Sequence, residues 1–92
     1  MTTKMEALPP PSIEQLVLDL RRLARQRRHG LGRHSEVMMA ELLRAYDARL
    51  RLACRALGVD EHLQPLQGMD LEIERLRVED SLEAAGLPFR QE

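Results

Sequence analysis

Aromatic residues are almost absent from this 92-residue chain, which contains one Phe, one Tyr and no Trp. Any hydrophobic core must therefore be built from Leu, Ile, Val, Met and Ala. Sheets favour β-branched and aromatic residues, whereas Leu, Ala, Arg, Glu and Gln, which dominate here, are good helix formers. The composition predicts one small all-α domain.

Cysteine is equally scarce, because Cys54 is the only one, and this excludes a disulfide within the chain. A lone cysteine fits a reducing compartment. The segment MTTKMEALPPPS has no apolar stretch long enough for a signal peptide. No run of the sequence approaches the ~18 apolar residues of a membrane span. We therefore expect a cytoplasmic protein without a membrane partner.

The chain also lacks a large net charge, since its formal value is −1, and this value alone predicts no polyanionic partner. Its two ends nevertheless differ in sign. Residues 1–35 contain seven basic and three acidic side chains, a net of +4, whereas residues 60–92 contain three basic and nine acidic ones, a net of −6. A basic and an acidic segment can bind different partners or each other.

The sequence does contain apolar residues at helical spacing. Residues 1–11 end in three prolines, which favour an extended arm. Ser12 follows with Gln15 three positions later, as in a capping box, and apolar residues then recur at spacings of three and four. The pattern predicts an amphipathic helix over residues 12–29, with Gly30 just after its last turn.

A second helix is predicted over residues 35–57, with Gly58 ending it. A heptad seam runs along it, consisting of Met39, Leu43, Tyr46, Leu50, Ala53 and Leu57. With a neighbouring stripe the apolar arc spans roughly 200°, about twice what one packing neighbour needs. We therefore expect at least two neighbours and self-association through this helix. Tyr46, the large aromatic residue on the seam, is the expected hot spot.

The segment DLEIERLRVEDSLEAAG predicts a third helix over residues 70–85, with Asp70 as N-cap and Gly86 just after its end. Ile73 and Leu76 lie opposite its main apolar stripe and need a surface of their own.

Two points about this region stay open. The alternation of apolar and polar residues over 69–73 is also typical of a short strand. Residues 87–92 form a tail beyond the helical domain, which we place at 12–86, and Phe89 is expected to be a secondary anchor at the protein interface.

Arginine is concentrated in RRLARQRRHGLGRH, residues 21–34. Five basic side chains share one side of the first helix, here called the arginine face: Arg21, Arg22, Arg25, Arg28 and His29. Together with Arg33, these arginines could contact a polyanion or an acidic partner. The alternative function is therefore a small DNA-binding regulator that superficially looks like a helix-turn-helix protein.

Several features disfavour the DNA-binding alternative. The second helix, at about 22 residues, is long and apolar for a recognition helix. Aromatic residues that could stack on single-stranded bases are lacking. The acidic third of the chain would repel phosphate.

No constellation of residues predicts catalysis or metal binding. His29 and His34 are five positions apart, and no Cys pair accompanies them. The VDEH segment offers three polar residues in a loop, which fall short of a closed ligand set. Ser12 and Ser35 are explained as helix caps, and no Gly-rich phosphate loop occurs. We expect neither enzyme activity nor a cofactor or metal.

Taken together, these patterns predict an oligomeric three-helix bundle with a Pro-rich arm. The expected role is a non-enzymatic interaction module: a scaffold, an adaptor or an accessory subunit. Its main contact is expected at Met39, Leu43, Tyr46, Leu50 and Leu57.

Overall fold

The computed structural model describes residues 9–30 and 35–88 of the chain. Three helices account for most of them: α1 (Ile13–Gly30), α2 (Glu36–Leu57) and α3 (Gly68–Ala84). The predicted all-α architecture is confirmed for the described ranges, which contain no strand. The strand alternative for residues 69–73 is wrong, because this segment forms the first turns of α3.

Serine caps begin the first two helices, as predicted. The Gln15 amide donates to the Ser12 Oγ at 3.1 Å, and the Met38 amide donates to the Ser35 Oγ at 3.1 Å. Each bond satisfies one of the amides that a helix start leaves unpaired. At the other end of α1, Gly30 is the last helical residue rather than the residue after the helix.

The predicted Pro-rich arm is described only in part, since residues 1–8 lie outside the described ranges. Pro9, Pro10 and Pro11 are exposed and non-helical. Pro10 and Pro11 line a groove with residues from the end of α2, among them Leu52. The start of α1 therefore lies beside the end of α2, and the two helices are antiparallel neighbours.

Helix α2 lies in the middle, with α1 and α3 packed against it. In the described residues α1 and α3 make no comparable helix-to-helix contact. The wide apolar arc of α2 predicted at least two neighbours, and both come from the same chain. The apolar arc of α2 is therefore used in packing within one chain.

Helix α3 runs in the same direction as α2. Leu71 lines a groove with Leu43, and one turn later the Arg75 guanidinium bonds to Asp47. This arrangement requires the connector after α2 to return along α2, and Leu63 of that connector lines a groove with α2 side chains.

The two ends of α3 differ from each other in how well the sequence predicts them. The helix begins at Gly68, so Asp70 lies in its first turn and is not the N-cap; Gln67 takes that position without a side-chain capping bond. The far end follows the prediction. Gly86 has a φ of +99°, and the Leu87 amide donates to the Leu82 carbonyl at 3.0 Å, as in a Schellman motif.

The core draws on all three helices and on the segments around α3. Its fully buried side chains include Leu16, Leu20, Leu50, Val78 and Leu82 from the helices. Leu63 of the connector and Leu87 after α3 are buried as well. Leu87, the first residue of the predicted tail 87–92, is thus part of the hydrophobic core.

Candidate protein-interaction surface

A buried polar cluster fixes α3 against α2. Arg75 is only 4 % exposed, and its guanidinium donates to both carboxylate oxygens of Asp47, at 2.7 and 2.8 Å. Beside this pair, the Tyr46 hydroxyl donates to the Glu79 carboxylate. The bond to Asp47 raises the pKa of Arg75 although burial opposes its charge. In the described residues no buried side-chain N or O lacks a hydrogen-bond partner.

A second cluster holds the connector between α2 and α3. The Glu74 carboxylate accepts from the Arg77 guanidinium at 2.7 Å and from the His62 backbone amide at 2.8 Å. Arg77 also donates to the Asp60 carbonyl. The hydrogen bond from Arg77, followed by that from the His62 amide, lowers the pKa of Glu74 to about 2.

Glu61 supports the same connector from the α2 side. Its carboxylate accepts from the Leu63 amide at 2.9 Å and from the Arg51 guanidinium at 3.1 Å. Burial opposes ionisation of Glu61, but these two hydrogen bonds outweigh it and hold its pKa below the usual value. The connector is therefore tied to α2 through Glu61 and to α3 through Glu74.

Glu74 makes the stability of this region depend on acid pH. Its pKa is about 2 in the folded chain and 4.5 without these contacts, so the unfolded chain binds the proton first. The stabilisation is complete above about pH 4.5 and is lost as the pH falls towards 2. We expect Glu74→Gln to flatten this pH dependence, as measured by urea unfolding at about pH 5 and about pH 3. An equally steep dependence in the variant would contradict the assignment.

Helix α3 carries apolar side chains on two opposite sides. Val78 and Leu82 are fully buried against the core. On the other side Met69, Ile73 and Leu76 are 68, 59 and 57 % exposed. We call these three residues the outer stripe. Their spacing of four and three places them along one line of the helix, and in the single chain they face away from α2.

The predicted seam on α2 is largely internal to the single chain. Tyr46 and Leu50 are buried in the core, at 2 and 0 % exposure, so neither is presented on the surface of this chain. Met39, Leu43 and Leu57 are half-buried. Phe89, the predicted secondary anchor, lies outside the described residues. The exposed apolar side chains of α2 are instead near its start, at Val37 and Met38.

The residues of the arginine face differ in exposure. Arg22, Arg25 and Arg28 are exposed. Arg21 is half-buried, and its guanidinium donates to the Pro88 carbonyl at 2.6 and 3.0 Å, which ties the segment after α3 to α1. Arg33 lies outside the described residues.

The described residues give little support for chemistry at a metal or a nucleophile. Within them no group of three His, Cys, Asp or Glu side chains could hold a metal ion. Burial raises the pKa of the Cys54 thiol to about 11, so this sulfur stays protonated at neutral pH and is a poor nucleophile. Among the helices described, none has both the length and the apolar character needed to cross a membrane.

Comparison with known proteins adds no assignment, because no protein-family model, curated protein sequence or solved structure matches this chain.

Sequence reasoning missed the buried cluster, although a signal for it exists. Leu71, Arg75, Val78 and Leu82 recur at spacings of four, three and four, so Arg75 occupies a position within the buried stripe of α3. A charged residue in such a position needs a buried partner. Asp47 is the residue after Tyr46, which belongs to the seam of α2. Its carboxylate could therefore have been considered as the buried partner of Arg75.

Proposed function

We propose that this chain is a cytoplasmic, non-enzymatic protein-interaction module, an adaptor or accessory subunit that assembles through the outer stripe of α3. The observation that carries the proposal is the exposure of Met69, Ile73 and Leu76 along one line of the helix. Apolar side chains that line up on the surface of a soluble protein are a common feature of interaction sites.

The proposal moves the contact from α2 to α3. The sequence predicts assembly through the wide apolar face of α2, but α1 and α3 both pack against α2 within one chain. The outer stripe has no such cover among the described residues. It also rests on a rigid base, because the Arg75–Asp47 pair and the Glu74 contacts fix α3 and its connector. A preorganised apolar line is the kind of surface that binds a partner helix in register.

The cytoplasmic location is supported by Cys54, which is buried and free and which fits a reducing compartment. The non-enzymatic role is part of the proposal, and the raised pKa of the Cys54 thiol makes this one side chain a poor nucleophile.

The test is capture of partners by the full chain and by two matched variants. Ile73→Asp places a charge in the outer stripe, and Val37→Asp makes the same change at an exposed site on α2. Both sites are exposed, so we expect stability to change by no more than about 1 kcal/mol. Immobilised wild-type chain and Val37→Asp should capture the same proteins from a nuclease-treated lysate, and Ile73→Asp should lose them at least about tenfold.

The result that overturns the proposal is equal capture by all three chains. Circular dichroism of each bait checks that the helices are intact. A loss shared by Ile73→Asp and Val37→Asp would also count against it, because the contact would then not belong to the outer stripe.

A second candidate function, DNA binding, is favoured by one observation: Arg22, Arg25 and Arg28 are all exposed on α1. A duplex bound there would show affinity that falls steeply with salt. Fluorescence anisotropy with a labelled duplex, for the wild-type chain and for Arg25→Glu/Arg28→Glu, separates the two functions. Salt-sensitive binding that the double variant loses would favour DNA, and the absence of binding at low salt would exclude it.

A further inference from the structure

We infer that Phe89 binds in an apolar groove on α1 of its own chain and so links the end of α3 to α1. Phe89 is bonded to Pro88, the last described residue before it. The sequence predicts Phe89 as an anchor at an interface with another protein, whereas the inference gives this side chain a partner within the chain. The outer stripe has no part in it, so it is independent of the proposed function.

The groove lies along the first turns of α1. It has a volume of about 400 Å³ and is lined by Ile13, Glu14, Val17, Leu18, Arg21 and Pro88. Val17 is buried whereas Leu18 is exposed, so the groove extends from the core to the surface. An apolar cavity of about 150 Å³ is large enough for a benzene ring. The groove therefore has room for a phenylalanine side chain.

Pro88 both lines this groove and carries the peptide bond to Phe89. Its carbonyl accepts two hydrogen bonds from the Arg21 guanidinium, at 2.6 and 3.0 Å. Consecutive Cα atoms are only about 3.8 Å apart. The backbone of Phe89 therefore starts at the edge of the groove, and its side chain needs no further length of chain to enter.

The two residues before Phe89 favour entry into the groove. Leu87 precedes a proline, which restricts its backbone to extended conformations, and its side chain belongs to the hydrophobic core. In an extended segment, side chains two positions apart lie on the same side. We therefore expect the side chain of Phe89 on the side of Leu87, towards the helices.

This contact would strengthen a link between two helices that otherwise share little. Helices α1 and α3 both pack against α2, but in the described residues they make no comparable contact with each other. The segment after α3 connects them instead, with Leu87 in the core and Pro88 bonded to Arg21. Phe89 extends that connection and covers part of the exposed side chain of Leu18.

Proximity favours the same chain over a second copy as the source of the side chain. A short link gives an intramolecular contact an effective concentration of about millimolar. Phe89 is one residue away from the groove of its own chain, so a second copy would have to compete with it at that concentration.

Phe89→Trp in the full chain tests the position of this side chain, because the sequence contains no other tryptophan. We expect the indole to emit at a shorter wavelength in the folded chain than in urea. Adding Leu18→Asp, which places a charge at an exposed site in the groove, should shift the emission towards that of the unfolded chain. Val37→Asp, at an exposed site on α2, is the matched control and should leave the emission unchanged. Identical emission with and without Leu18→Asp would overturn the inference.

Dilution of the Phe89→Trp chain distinguishes its own groove from that of a second copy. The emission should not depend on protein concentration while circular dichroism shows intact helices. A shift to longer wavelength on dilution would overturn the inference, since the groove would then hold Phe89 of another copy.

A stability cycle tests the contact without the tryptophan. Phe89→Ala should lower the urea midpoint of the otherwise unchanged chain, and should lower it much less in the Leu18→Asp background, where the contact is already lost. In the Val37→Asp background the loss should be as large as in the unchanged chain. Equal losses in all three backgrounds would overturn the inference. The capture experiment with Ile73→Asp is a separate test, because the outer stripe lies on α3 and the groove on α1.

Discussion

Alanine in place of Arg75 is expected to lower the free energy of unfolding by about 3–5 kcal/mol. The guanidinium is almost fully buried and bonds to both carboxylate oxygens of Asp47. Its removal leaves the Asp47 carboxylate without this bidentate partner. A buried charge without a partner costs far more than the pair itself contributes. Because small domains have about 5–15 kcal/mol of stability, the loss is a large fraction of the total.

Urea unfolding followed by circular dichroism measures this loss, and an exposed pair provides the control. Arg44 donates to Glu41 at 2.6 Å, but both side chains are 67 % exposed, so Arg44→Ala should cost about 0–1 kcal/mol. The double variant Asp47→Ala/Arg75→Ala should recover part of the loss, since it leaves no unpaired carboxylate at position 47. Equal costs for Arg75→Ala and Arg44→Ala would contradict the account of α3 docking.

Leu50→Ala is expected to cost about 2–5 kcal/mol, the range for truncating a buried leucine. Leu50 has no exposed surface and lies on α2, against which both other helices pack. The cost should not depend on protein concentration, because the cavity forms inside one chain. Leu18→Ala, at a position that is 58 % exposed, should change the stability by less than about 1 kcal/mol.

Concentration separates this account from assembly through the α2 seam. If Leu50 packed between chains, the unfolding midpoints of the wild-type chain and of Leu50→Ala would both rise with protein concentration. The account predicts the same difference between the two proteins at all concentrations low enough to keep the chain monomeric. If the stability difference between the wild-type chain and Leu50→Ala disappears on dilution, Leu50 packs between chains and not within one chain.

The helices and their serine caps could be predicted from the sequence because their causes are local. Ser12 and Ser35 each accept a hydrogen bond from an amide three residues away, and that geometry depends on the adjacent turn alone. Gly58 and Gly86 mark helix ends for a similar reason, since each adopts the positive φ that other residues rarely take.

The packing of α3 against α2 could not be predicted from the sequence, because it depends on the path of the connector between the two helices. The width of the α2 arc predicted the number of neighbours correctly, but periodicity does not say whether a neighbour belongs to the same chain. Here the connector, anchored by Glu61 and Glu74, brings α3 back onto α2 and covers Tyr46 and Leu50. Leu63 and Leu87 could not be placed for the same reason, because an isolated leucine outside a helix shows no periodicity.

The start of α3 shows a different limit. Asp70 is a favourable N-cap residue, but the helix begins two residues before it, at Gly68. The Leu71 amide bonds to the Gln67 carbonyl, and an aspartate in the first turn is still favourable for the helix dipole. Aspartate is therefore favourable both as N-cap and in the first turn of a helix, so the local sequence does not determine which of the two positions Asp70 takes.

The molar mass of the wild-type chain over a dilution series, by light scattering after gel filtration, shows whether α2 is covered by helices of its own chain or by another chain. The account predicts a compact, helical monomer of 10.6 kDa at the lowest concentration, because α1 and α3 cover α2 within one chain. A fixed dimer that persists on dilution until the chain unfolds would contradict it, since α2 would then be covered by another chain.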